Sequence, residues 1–286
     1  MSGLGNPDGS SSRLNLGNAL GAIAQIISPL IIVLILPSGV VTVPEKIPYI
    51  NGIFFAIAII LMLTGIITLF LKEPKIESYE QNDDQSPGHN MPVSVWKNKK
   101  LLLGFIAIFI ALGAESGIFG LYRNYIEDPA VAALSSHQSY ILYTVYFAMF
   151  AVGRLAGAWV QKKIKPALTL AFCVITAMVL LLIMMTTTGI IAVVSITLLG
   201  LFISIFFPTL YAISIEGLGK NTAMASGLLT MGFLGAAILP VLQGKLADCI
   251  GLKYSFLICM ATYSYVLYFA FQNIKRSQFK AEIITK

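Results

Sequence analysis

Charge is what this 286-residue sequence has least of: 11% of its residues are Asp, Glu, Lys or Arg, against roughly 25% in an ordinary soluble domain. So few charges cannot build a water-facing surface. With 57% apolar residues and a mean hydropathy of +0.83, the chain is also unlike a disordered one, so lipid is its solvent. Cysteine is scarce as well: Cys173, Cys249 and Cys259 form no C-x-x-C pair and lie in or beside apolar runs, where thiols serve as small packing groups. Only His89 and His137 are present, both in segments expected to be loops, and there is no P-loop, H-E-x-x-H or G-x-S-x-G motif. The adjacent acids Asp83 and Asp84 fall in a polar stretch rather than beside a span. An enzyme, a metal centre and a bound cofactor therefore find no support. The net charge of +6 is scattered between apolar runs rather than gathered on one basic face, which argues against nucleic acid. The first twenty residues lack the charged, apolar and small-residue regions of a secretory signal, so no cleaved leader is expected.

What is present is a series of apolar runs. About 20 residues are needed to cross the hydrocarbon core, and eight runs qualify: 16–36, 49–71, 101–122, 138–160, 166–187, 190–211, 223–246 and 252–272. Each must be helical, because a backbone in lipid has to satisfy its own hydrogen bonds, and the short alternating segments of a β-barrel are absent. The expected fold class is thus an all-α, polytopic membrane protein. Placing the N-terminus in the cytoplasm puts most Lys and Arg on that side and leaves only Lys46, Arg123, Lys245 and Lys253 on the other, so both termini are expected to be cytoplasmic. The long polar stretch 72–100 reads as a cytoplasmic linker. It separates a partial half, 1–71 with two spans, from a six-span half, 101–272, followed by a cytoplasmic tail, 273–286. Six spans form the repeating half of many secondary transporters. Gly104, Gly113, Gly117 and Gly120 in the third run, Gly153 and Gly157 in the fourth, and Gly227, Gly232 and Gly235 in the seventh are read as sites of close helix contact, or alternatively as a sliding surface.

Ionisable groups within spans are functional candidates by default, since placing them there costs on the order of a few kcal/mol. Glu115, in IAIFIALGAESGIFGLY, is the one acid well inside a run. It is read either as a hydrogen-bonded buried carboxyl or as a group lining a polar cavity, where it would bind a sugar or exchange a proton. Arg154, in AVGRLAGAW, either snorkels to the cytoplasmic surface or forms a gating ion pair. Asn18, Tyr146, Tyr211 and Gln243 lie at depths where uncharged hydrogen bonds can be made, and a tyrosine ring also offers a flat face to a pyranose.

Four segments in order, SSRLNLGNALGAIAQIISP, IAIFIALGAESGIFG, FAVGRLAGAWV and FFPTLYAISIEGLGKNTAMASGLLTMGFLGAAILPVLQGKLADCIGLKYSF, resemble the fucose/glucose/galactose–proton symporter family of the major facilitator superfamily, closest to its glucose/galactose branch. The resemblance runs from Ser11 to about Phe271. It implies the major facilitator fold in partial form, with the eight spans standing for helices five to twelve of a twelve-helix, alternating-access transporter in a bacterial inner membrane. A monosaccharide and a coupling ion, proton or sodium, would be its ligands. The same resemblance gives Glu115 the place of the family's G-A-E glutamate, Arg154 that of its G-R-x-x-G arginine, and Tyr146 that of a cavity tyrosine. Gly21 stands where the family has a sugar-binding asparagine, and Asn18, three positions earlier, replaces it only in part. The family's proton-coupling acids lie on first and fourth helices that this sequence does not contain. The chain alone is therefore expected to show no proton-coupled uptake without an N-terminal part. A non-transporting membrane protein that binds a ligand or partner, and a transporter of a non-sugar solute, stay open as alternatives.

Overall fold

A computed structural model describes residues 43–70 and 98–285, together with single positions at 12, 16, 21 and 27. The chain divides into two compact units, one of residues 30–91 and the other of residues 1–29 and 92–286. The described part of the first unit is helix α1, Val43–Phe70, which is apolar on every face between Ile53 and Ile67 as a lipid-facing helix must be. The run 16–36 lies outside the described residues except at positions 16, 21 and 27, each of which is helical.

The second unit is a bundle. Among the described residues it holds six helical segments long and apolar enough to cross a membrane: 99–127, 136–160, 166–186, 189–215, 222–250 and 252–276. They coincide with the last six runs. Local chemistry sets where they start. Helix α2, Lys99–Glu127, begins where the Asn98 side chain accepts the Leu101 N–H at 3.2 Å. Helix α3, Ser136–Val160, begins on a capping box formed by Ser135 and Gln138. That box draws His137 into the first turn of α3, not into a loop as its polarity suggested. Helix α4, Pro166–Thr186, opens on a proline that fits the first turn.

The fourth segment is broken into α5, Gly189–Ile203, and α6, Phe206–Ile215. The fifth comprises α7, Thr222–Thr230, a short 3₁₀ turn at Met231–Phe233, and α8, Leu234–Ile250. After Gly251, whose φ of +90° suits only glycine, a single turn α9, Leu252–Ser255, leads into α10, Leu257–Thr285. Helix α10 therefore continues well past residue 272 where the apolar run ends, because 273–285 contains no Gly or Pro to stop it.

Helix α2 is the axis of the bundle and packs on α6, α8 and α10, while α3 packs on α5, and α4 on α5 and α10. Both ends are tied by charge. At one end Arg123 donates to Glu127 at 2.6 Å and to Ser139 at 3.1 Å, and lies 3.6 Å from the centre of the Tyr140 ring; nearby, Lys253 donates to the Thr187 carbonyl at 2.6 Å. At the other end Lys100 pairs with Glu216 at 3.3 Å.

Candidate functional site

Glycines bring the helices of the site together. A Cβ on Gly235 would overlap the Phe109 carbonyl, one on Gly113 would lie 2.7 Å from the Gly235 carbonyl oxygen, and one on Gly117 would overlap the Gln243 Oε1. Helices α2 and α8 thus touch backbone to backbone, which only small residues permit. Gly120 and Gly227, by contrast, have open space where a Cβ would be and take no part in the seam. Between α3 and α5 the same device recurs: Gly153 lies against the Leu201 carbonyl, and Gly200 lies against the ring of Tyr146.

Within this frame four helices converge on one set of polar groups. Glu115 of α2 is 7% exposed and Gln243 of α8 is 1% exposed. The Cys259 thiol of α10 lies 3.8 Å from Gln243 Oε1 and 3.9 Å from the Ala114 carbonyl, donating toward both. That contact holds the amide with its Nε2 turned away, and Nε2 has no hydrogen-bond partner. Tyr146 of α3 is fully buried among aromatic rings, with Tyr122 at 5.0 Å, Phe147 at 5.5 Å and Phe119 at 5.6 Å, and its hydroxyl is likewise unpartnered. Glu115 lies within electrostatic reach of Tyr146 and of Arg154. Leaving a buried donor or acceptor unmade costs about 1–3 kcal/mol each, so the Tyr146 hydroxyl and the Gln243 Nε2 call for a hydrogen-bond partner from outside the protein.

Arg154 does not snorkel. It is only 9% exposed, its guanidinium lies 4.5 Å from the centre of the Phe150 ring, and its Nε donates to the Ser204 carbonyl at 3.3 Å. The reason is local: Ser204 ends α5, and the residue whose N–H would bond its carbonyl in a continuous helix is Pro208, which has none. Arg154 fills that gap from the neighbouring helix. At the end of α3, the amide of the capping residue Gln161 donates to the Thr209 hydroxyl at 2.8 Å, and the Ser12 hydroxyl donates to the Ala158 carbonyl at 2.6 Å. Arg154, Ala158 and Gln161 therefore join the end of α3 to the broken span and to Ser12.

Tyr211 is not brought to this polar set. Its ring packs 5.9 Å from Phe207, which in turn packs on Phe233. Asn18 lies outside the described residues. Tyr263 of α10, one turn beyond Cys259, does belong to it: the residue is fully buried, its hydroxyl has no partner, and it lies within electrostatic reach of Glu115. Nothing in the run LICMATYSYVLY singles it out from Tyr265 and Tyr268.

A long broken span, glycine seams and a polar centre inside a six-helix bundle are the marks of a solute pathway. The sequence model of the Major Facilitator Superfamily matches residues 7–238. This chain belongs to that superfamily. It is 33% identical over 268 residues to a protein of Brucella abortus named glucose/galactose transporter, covering 93% of this chain and 64% of that one. It is 28% identical over 230 residues to a putative glucose/galactose transporter of Helicobacter pylori, covering 79% and 54%. The L-fucose-proton symporter of Escherichia coli is 24% identical over 200 residues, covering 69% and 45%. The chain thus spans less than two thirds of the length of each of these relatives. Among solved structures, the crystal structure of the major facilitator transporter FucP in the outward conformation aligns with a TM-score of 0.75 at 21% identity, covering 94% of this chain and 70% of that one. The fold is therefore the major facilitator fold, represented in part, and the superfamily member is a multi-pass membrane protein.

Proposed function

We propose that this major facilitator protein forms part of a monosaccharide transporter of the glucose/galactose type, working by alternating access with a proton as the coupling ion. The observation that carries this reading is the convergence of Glu115, Tyr146 and Gln243 in the bundle interior, with the Tyr146 hydroxyl and the Gln243 Nε2 lacking any partner in the protein. A carboxyl, an amide that donates and a phenol that both donates and accepts are the complement of vicinal sugar hydroxyls. The relatives' printed names, glucose/galactose transporter and L-fucose-proton symporter, support the sugar and the proton. Residues 101–272 would form one six-helix half of the pathway, 1–71 two helices of the other, 72–100 the linker and 273–286 the tail. Arg154, by capping the broken span, would control its inner segment as a gate. Radiolabelled galactose should bind the detergent-purified chain, and Glu115→Ala should weaken that binding about tenfold, as loss of a buried hydrogen-bonding group does. Binding unaltered by this change would remove Glu115 from the site.

The membrane would be the bacterial inner membrane with both termini cytoplasmic, as the Lys and Arg distribution indicates. Cys249 is exposed near the end of α8 that would then be periplasmic, whereas Cys259 is buried. A membrane-impermeant maleimide added to spheroplasts should therefore label the protein at Cys249 before lysis. Labelling that appears only after lysis would reverse the orientation.

A further inference from the structure

Four tyrosines of the bundle are fully buried, and they divide into two pairs. The Tyr122 hydroxyl bonds the Thr197 hydroxyl at 2.7 Å, and the Tyr125 hydroxyl donates to the Met184 carbonyl. Those two phenols tie helices together. The hydroxyls of Tyr146 and Tyr263 bond nothing in the protein. Packing does not require a hydroxyl at either place, since a phenylalanine ring would fill the same volume. Tyr263 is held edge-on to Phe206 of α6, with ring centres 5.2 Å apart and an interplanar angle of 81°. It lies one helical turn from Cys259, whose thiol touches both the Ala114 carbonyl, next to Glu115, and the Gln243 amide. The face of α10 that carries residues 259 and 263 is thus turned to the same centre as Glu115 and Gln243.

We propose that Tyr263 is a sugar-binding residue: its phenol hydrogen-bonds one hydroxyl of the monosaccharide and so sets which hydroxyl pattern the site accepts. The assignment rests on the transport reading above and adds the last helix to the wall of the site. A buried donor held for a ligand hydroxyl discriminates against an analogue that lacks that hydroxyl, because the donor is then left bare. The alternative occupant of the same chemistry is a trapped water, which would not distinguish one sugar hydroxyl from another.

The test is a cycle of ligand and protein changes on the full chain in detergent. Binding of galactose and glucose and of their 2-, 3-, 4- and 6-deoxy forms is measured for the unaltered chain and for Tyr263→Phe. The variant is expected to melt at the same temperature or slightly higher, and to bind the parent sugar about tenfold more weakly. One deoxy sugar should bind the two proteins equally, and it identifies the hydroxyl that Tyr263 reads. Equal affinity of both proteins for every sugar, or a uniform loss across all deoxy forms, would overturn the assignment in favour of a water or a packing role while leaving the transport reading intact. A variant that fails to fold would also overturn it, since the hydroxyl would then serve the protein. No binding of any monosaccharide by the unaltered chain would overturn the transport reading and this assignment with it.

Discussion

Gly235→Ala is expected to lower the melting temperature of the detergent-purified protein by roughly 10 °C, or to prevent its folding. The added methyl would overlap the Phe109 carbonyl oxygen, and a backbone atom in the middle of α2 cannot rotate away as a side-chain tip can. Helices α2 and α8 would have to separate along the seam that also includes Gly113. Overpacking of this kind costs about 3 kcal/mol at the upper end of its usual range, and each kcal/mol shifts the melting point of a chain this size by about 2–4 °C. Gly227→Ala and Gly120→Ala provide the contrast, because a Cβ there meets open space; both should stay within about 0.5 kcal/mol of the parent. Thermal unfolding followed by size-exclusion chromatography distinguishes the three. Equal melting points for Gly235→Ala and Gly227→Ala would mean that the seam is not a backbone contact.

Arg154→Met is expected to be of comparable effect, at about 1–3 kcal/mol, the usual cost of leaving a buried acceptor without its donor. The Ser204 carbonyl, which Arg154 bonds at 3.3 Å, loses its donor. Arg154→Lys keeps the charge but loses the planar fork that reaches the carbonyl while lying over Phe150, and should recover only part of the loss. The missing N–H at Pro208 offers a separate check. Pro208→Ala restores a donor for the Ser204 carbonyl, so Arg154→Met combined with Pro208→Ala should be more stable than Arg154→Met alone. Additive effects of the two changes would show that Arg154 does not cap the break.

Span positions were legible because crossing the hydrocarbon core imposes a length that apolar runs reveal directly, and all six runs after residue 100 are helices in the bundle. The faces of those helices were not legible. In a soluble helix a polar face points outward, but here lipid and protein interior are both apolar, so Tyr263, Tyr265 and Tyr268 look alike in sequence although only Tyr263 is fully buried with a bare hydroxyl. Glu115 and Gln243 stand out in the sequence because charge and amide are rare inside a span. Tyr211 resembled Tyr146 for the same reason that Tyr263 did not stand out. Helix α3 starts two residues before its apolar run, because the capping box at Ser135 begins the helix ahead of the first apolar turn. The break after Ile203 was announced only by Pro208, whose effect depends on which carbonyl lies four residues before it.

The bond from Ser12 to the Ala158 carbonyl joins residues 146 positions apart. At ribosomal speeds of roughly 5–20 residues per second, Ser12 leaves the ribosome on the order of ten to thirty seconds before its acceptor exists. During that interval Ser12 is without this partner. The end of α3 thus sets when this bond can form, and a pause in translation just before residue 158 would lengthen the period in which Ser12 lacks its acceptor.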